Sequence, residues 1–180
     1  KGPDAVIFLD TNPVYTHPKG AAFGKALKNV KHKISMASHA DETANMCDVI
    51  VPNHHALEAW MDFKPRASHY ALAQPAIRPL GNTASALESV LVWAGKASRG
   101  GKDSKVAYDY IQVLWEQWGY TMDPNATAKF PTFEEFWNSV VHNSGVTSAT
   151  VAAPTAPTFN DSALASIGGK LPKGGGIEVV

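Results

Sequence analysis

The stretch Ala5-Val6-Ile7-Phe8-Leu9-Asp10-Thr11-Asn12-Pro13-Val14-Tyr15-Thr16-His17-Pro18 sets an apolar run of strand length against a loop of turn formers. A continuous apolar run this short is the pattern of a strand buried on both faces, as in a parallel sheet. Pro13 and Pro18 argue against a helix starting inside the loop. Downstream, Ala22, Phe23, Ala26 and Leu27 recur at helical spacing, and Lys33-Ile34-Ser35-Met36-Ala37 reads as a second strand. A short helix follows over 42–46 with Asp41 as its N-cap, and Val49-Ile50-Val51 makes a third strand stopped by Pro52. Strand and helix alternating through connections this short predict right-handed βαβ units. The expected class is therefore α/β: a parallel or mostly parallel sheet with helices on both faces.

Beyond that core, a short helix fits His54 to Met61, and Ser68 to Leu80, with Pro75 and Pro79, suits an irregular or edge strand. Ala84, Leu87, Val90, Leu91 and Ala94 form one helical stripe ended by Gly95. A second stripe, Ala107, Ile111, Leu114, Trp115 and Trp118, is ended by Gly119. A third helix starts at Thr132, whose spacing to Glu135 matches a capping box, and buries Phe133, Phe136, Trp137, Val140 and Val141. By the same periodicity Trp93 and Trp118 are expected in the core, while Trp60 and Phe63 fall on no stripe and suit an interface. Ser98 to Ser104 is a flexible loop. Residues 1–146 are expected to form the α/β domain and 147–180 an Ala/Pro/Thr/Gly-rich extended segment ending in a strand. Lys1 in first place and Ile177-Glu178-Val179-Val180 in last read as cuts, so an excised domain is expected.

Composition narrows the chemistry. Sixteen basic and 16 acidic residues leave the 180-residue chain with a formal charge of zero, which argues against nucleic acid as a partner. The single cysteine, Cys47, excludes an internal disulfide and any cysteine-held cluster within this chain. No apolar run reaches the roughly 18–20 residues of a membrane span, so the chain itself is expected to be soluble. In parallel sheets ligands lie beyond the carboxyl ends of the strands. The loops there carry His17, His39, His54 and His55 together with Asp10, Asp41, Glu42 and Glu58. Such a set could bind a divalent metal or do acid–base work, yet no H-x-x-x-H or H-E-x-x-H spacing is present. No glycine-rich turn follows the first strand, Asp10 sets a negative charge where a phosphate would approach, and Pro13 removes an N–H donor. Cys47 reads as a small buried hydrophobe, and Ser35 and Ser38 lack the context of a nucleophile.

Three segments in order carry a family resemblance: Phe8-Leu9-Asp10-Thr11-Asn12-Pro13, then Asp41-Glu42-Thr43-Ala44 leading into Cys47-Asp48-Val49-Ile50-Val51-Pro52, then Glu58. Together they resemble the molybdopterin oxidoreductase superfamily. The stretches His54-His55-Ala56-Leu57-Glu58-Ala59-Trp60 and Ala73-Gln74-Pro75-Ala76-Ile77-Arg78-Pro79-Leu80, with Phe133-Glu134-Glu135-Phe136-Trp137, are similar to the large iron–sulfur subunit of alternative complex III, the bacterial quinol:cytochrome c oxidoreductase. The resemblance implies a Rossmann-like fold and family-matched cofactor positions at Asn12, Thr43 and Glu58. It assigns no catalytic residue and no metal ligand here. It also implies iron–sulfur clusters elsewhere in a parent chain. The implied partners are other domains of that chain and the subunits of a respiratory complex, which would hold it at the periplasmic face of a membrane.

Departures from the family pattern point the same way as the physical reading. Cofactor-binding members carry glycine where Asp10 stands, aspartate where Ala37 stands and glycine where Met61 stands, and an Asn-x-Glu-Gly-Arg-like stretch is missing. The expectation is a structural domain holding no molybdopterin. The alternatives are a domain of a true molybdopterin-dependent enzyme using Asn12, Thr43 and Glu58, and a small metal-dependent enzyme using the histidine and carboxylate loops.

Overall fold

A computed structural model describes residues 2–148 and 155–163. The α/β class is as expected: β1 (Ala5–Phe8), β2 (His32–Ser35) and β3 (Val49–Ile50) form a parallel sheet in the order β1-β2-β3. The connection from β1 to β2 holds α1 (Pro13–Thr16) and α2 (Gly20–Leu27), and that from β2 to β3 holds one 3₁₀ turn over Ala44–Met46. The turn replaces the expected helix over 42–46, although the Asp41 carboxylate accepts the Ala44 N–H at 2.7 Å as a cap would. Proline does not exclude a helix before Pro18, contrary to expectation. α1 begins on Pro13, the N1 position, where a fixed φ suits the helix and the missing N–H would be unbonded in any case.

The expected burial of Ala5–Leu9 on both faces is not observed. Phe8 is buried and meets Phe23 of α2 edge to face at 6.2 Å. The alternate residues point the other way: Ile7 is 44% and Leu9 46% exposed. Register aligns Ile7 with Ile34 and Ile34 with Val49, and Val49 is 50% exposed. One face of the parallel sheet is thus packed, and the other presents an aliphatic row.

A second sheet was not foreseen. β4 (Met61–Arg66), β5 (His69–Ala73) and β6 (Gly145–Thr147) pair antiparallel in the order β4-β5-β6. β5 is the central strand, not an edge, because Pro75 and Pro79 lie beyond its end at Ala73. The proline that does mark an edge is Pro65 in β4, where the register shifts between Phe63 and Arg66. In place of a helix over 54–61 the chain makes a 3₁₀ turn at Ala56–Glu58 and then enters β4.

Against this second sheet pack α4 (Val106–Leu114) and α6 (Phe133–Asn143), while α3 (Ala86–Trp93) lies on α4 and α5 (Pro124–Lys129) on the turn that follows α4. Ser85 caps α3, and Gly95 follows it at φ +66, the left-handed stop that glycine supplies. Thr132 caps α6 by accepting the Glu135 N–H. The core gathers Leu72, Ile111, Trp115, Ala126, Phe136, Trp137 and Val140, with Phe136 wholly buried. Trp60 is part of it, its ring 4.9 Å from Tyr108 and stacked 6.0 Å from Trp137, which corrects its expected place at an interface. Phe63 is half exposed.

Gly119 does not end the helix after α4. The chain continues as a π-helical turn over Trp115–Thr121, and a side chain at Gly119 would stand 3.4 Å from the rings of Phe136 and Trp115. The wider turn moves Trp118 off the buried stripe, leaving it 66% exposed, and Trp93 is 46% exposed. Thr147 ends β6; the expected strand at 177–180 and most of the 147–180 segment lie outside the described residues. Among the described residues no helix is long and apolar enough to cross a membrane.

Candidate functional site

Two of the three family-matched residues meet at the carboxyl ends of the parallel strands. Asn12, which opens the loop into α1, accepts two hydrogen bonds at Oδ1, from the Thr43 N–H at 3.2 Å and the Thr43 hydroxyl at 2.7 Å. Its amide nitrogen donates to Glu42 Oε2 at 2.7 Å. Thr43 is fully buried, and its Oγ1 accepts the Val14 N–H at 3.1 Å. That N–H is one of the donors a helix leaves unbonded at its start, so Thr43 caps α1 from the loop after β2. Asn12 and Thr43 lock the loop after β1 to the loop after β2.

The third residue is elsewhere. Glu58 uses both carboxylate oxygens within its own turn and the next loop, Oε2 accepting the His55 N–H and Oε1 the Leu80 N–H, each at 2.9 Å. These backbone donors hold its carboxyl below the usual carboxylate range. The Asn12 amide does the same for Glu42. His55 completes the turn by accepting the Leu57 N–H at Nδ1, a capping box that its sequence does not advertise.

Asp10, where the resemblance in sequence leads one to expect glycine, has a backbone that suits glycine. Its φ is +44, the left-handed region where a β-carbon is strained and which Asp tolerates better than most residues. Its carboxylate accepts from Asn53 Nδ2 at 3.1 Å. Asn53 in turn accepts the Ala86 N–H, which ties the strand ends to α3.

The loop histidines do not converge. His17 accepts the Lys19 N–H at Nδ1, His39 Nδ1 pairs with Ser38 Oγ, and His54 Nδ1 pairs with Thr83 Oγ1 at 2.7 Å. Burial pushes the His54 imidazole below its usual pKa. Among the described residues no three His, Cys, Asp or Glu side chains are grouped to hold a metal ion. Cys47 is half-buried, its thiol donates to the Thr43 carbonyl at 3.3 Å, and burial pushes its pKa up, which is the environment of an unreactive thiol.

A pterin nucleotide needs unfilled donors and room for phosphate at these loops. Asn12, Thr43 and Glu58 bond to protein groups at every side-chain acceptor described above. Pro13 has no N–H, the Val14 N–H is taken, and the Asp10 and Glu42 carboxylates flank Asn12. The residues present do not fit that group.

Sequence reasoning missed two crevices beside the second sheet. One, of about 420 Å³, runs along the π-helical turn between Trp118, Met122, Tyr70 and Lys64, where the Trp115 indole N–H donates to Asp62. The other, of about 500 Å³, lies between the 54–60 segment, the start of α3 and the 102–108 segment. The π-helical turn and the buried acidic residue Glu88 mark them only once the chain is folded.

No family model matches the chain. Over 100 residues, 53% of its length, it is 35% identical to the molybdopterin-binding-like subunit of menaquinone reductase from Nitratidesulfovibrio vulgaris. That stretch is 14% of the relative's own length, so the chain spans only a small part of the protein it matches. The likeness supports a relationship to molybdopterin-oxidoreductase-like proteins.

Proposed function

We propose that this chain is a domain of a molybdopterin-oxidoreductase-like iron–sulfur protein in a membrane respiratory complex, and that it serves there as a structural part without a cofactor of its own. The complex would pass electrons from quinol to cytochrome c, as in alternative complex III. The iron–sulfur clusters would sit on cysteines of the parent chain outside these 180 residues. Partner subunits would hold the assembly at the periplasmic face of the membrane.

The observation that carries this reading is the closure of the Asn12–Thr43–Glu42 hydrogen bonds across the two strand-end loops. A ligand entering there would have to displace bonds that also cap α1. Support for the electron-transfer setting comes from the relative, whose name makes it a subunit of a menaquinone reductase and molybdopterin-binding-like. The scattered Nδ1 partners of the histidines weigh against a small metal-dependent enzyme.

The test is elemental molybdenum analysis and fluorescent pterin assay, on this chain and on its parent polypeptide, purified from a host that makes molybdenum cofactors. The expected result is pterin and molybdenum far below stoichiometric in both. One pterin per parent chain, lost on Asn12→Ala, would overturn the cofactor-free reading and favour the enzyme.

A further inference from the structure

We propose that the crevice between the 54–60 segment, α3 and the 102–108 segment binds a flat, compact zwitterion, with an amidine or amine held at Glu88 and a carboxylate held by the lysines at the mouth. The proposal is independent of the respiratory reading. Glu88 departs from the role its local spacing gives it.

Ser85-Ala86-Leu87-Glu88 has the spacing of a capping box, in which the glutamate would bond back to the N-cap N–H. Ser85 does its half, accepting the Glu88 N–H at 3.1 Å. The Glu88 carboxylate instead reaches the 98–104 loop, where Oε1 accepts the Gly100 N–H at 2.9 Å. Glu88 is only 3% exposed, yet Oε2 has no hydrogen bond among the described residues. Among the described residues no sealed side-chain oxygen lacks a partner, so Oε2 opens onto the crevice that Glu88 lines. The Ser85 hydroxyl, 5% exposed, lines the same floor, and its proton has no acceptor among the described residues.

The cations stand at the mouth. Arg78, Lys102 and Lys105 line the opening and are exposed, and among the described residues none is ion-paired, the one such pair being Lys33–Asp48. Facing them are Asp103, exposed at the same rim, and Glu58, whose oxygens are already bonded to backbone. His54, the remaining titratable group beside Tyr108, is held by Thr83. The separation of an acceptor floor from a cationic rim selects a ligand with opposite charges at its two ends. Between floor and rim the wall includes the half-buried rings of Trp60 and Tyr108, which favour a flat body.

Isothermal titration of the 180-residue chain with 4-amidinobenzoate, benzamidine and benzoate tests this. The zwitterion is expected to saturate one site and to bind at least about tenfold more tightly than either half-molecule. Glu88→Gln keeps an acceptor for Gly100 but removes the charge, and is expected to weaken 4-amidinobenzoate by about tenfold while leaving benzoate unchanged. Lys102→Met with Lys105→Met is expected to weaken 4-amidinobenzoate and benzoate and to spare benzamidine. This pair carries the test if Glu88→Gln alters the tryptophan emission of the folded chain. No saturable binding at millimolar concentration overturns the proposal. So does equal affinity for the three probes, or unchanged affinity in the variants.

Discussion

Replacing Thr43 by valine probes the interloop clamp with almost no change in volume. The substitution deletes an oxygen that donates to Asn12 Oδ1 at 2.7 Å and accepts the Val14 N–H at 3.1 Å, at a site with no solvent access. The lost bond is worth about 1 kcal/mol, and the orphaned Val14 N–H adds about 1 kcal/mol or more, for a total near 2 kcal/mol. Asn12→Ala removes both bonds at Oδ1 and leaves the Thr43 N–H and the Thr43 hydroxyl proton without an acceptor, again about 2 kcal/mol. The hydroxyl–amide bond is common to both, so the double variant should fall short of additivity by about 1 kcal/mol. Urea unfolding followed by tryptophan emission measures this: with a slope of about 2 kcal/mol/M, each single variant moves the midpoint by about 1 M. Groups kept for a ligand rather than for the fold would behave otherwise, because such sites commonly relax when mutated. A Thr43→Val cost below about 0.5 kcal/mol, or additivity within about 0.3 kcal/mol, would refute the clamp.

Asp10→Ala should be less stable than Asp10→Gly by about 1 kcal/mol, since both lose the Asn53 bond and only alanine keeps the left-handed strain at φ +44; equal midpoints in urea would contradict this. Gly145→Ala should cost at least about 2 kcal/mol, because a β-carbon there meets the Tyr70 carbonyl and the Ala71 backbone and would push β6 off β5; thermal unfolding reads it. The folded chain binds a proton at His54 less tightly than the unfolded chain does. Stability from this group is therefore complete above the usual histidine pKa of about 6.5 and declines as pH falls from there toward the depressed folded value. An NMR titration placing the His54 midpoint above that of a free histidine would reverse the sign. Iodoacetamide should modify Cys47 with a pH midpoint above that of a free thiol, because burial holds the thiolate back; rapid labelling at neutral pH would count against that environment.

Periodicity made the parallel half of the fold legible. Phe8, the helix ending at Leu27 and the strand at Val49 all follow from apolar spacing, as does α6 with its Thr132 cap. The antiparallel half was harder, since β4 reads Met-Asp-Phe-Lys-Pro-Arg with five of its six residues exposed and leaves little hydrophobic alternation to detect. At the candidate site, sequence order pointed to Asn12, Thr43 and Glu58 but could not say that the first two bond each other while the third serves a separate turn. Which donors a polar side chain meets depends on loops some 30 residues apart. Glu88 was invisible for the same reason: its local spacing predicts a cap, and only the fold brings Gly100 to it.

The π-helical turn can also be read as a matter of residue count. An α-helix continuing from Ile111 and Trp115 would bring Trp118 back over Phe136, each residue advancing the face by about 100°. The wider turn takes up one residue more, so that Gly119 and Tyr120 arrive there instead. Deleting one residue between Trp115 and Trp118 would restore the α-helical count with Gly119 and Tyr120 still over Phe136, and would leave the indole two places after Trp115, about 200° round the helix from it. The one extra residue in the turn thus brings Gly119 to the rings of Phe136 and Trp115 and leaves Trp118 standing beside the groove next to Met122.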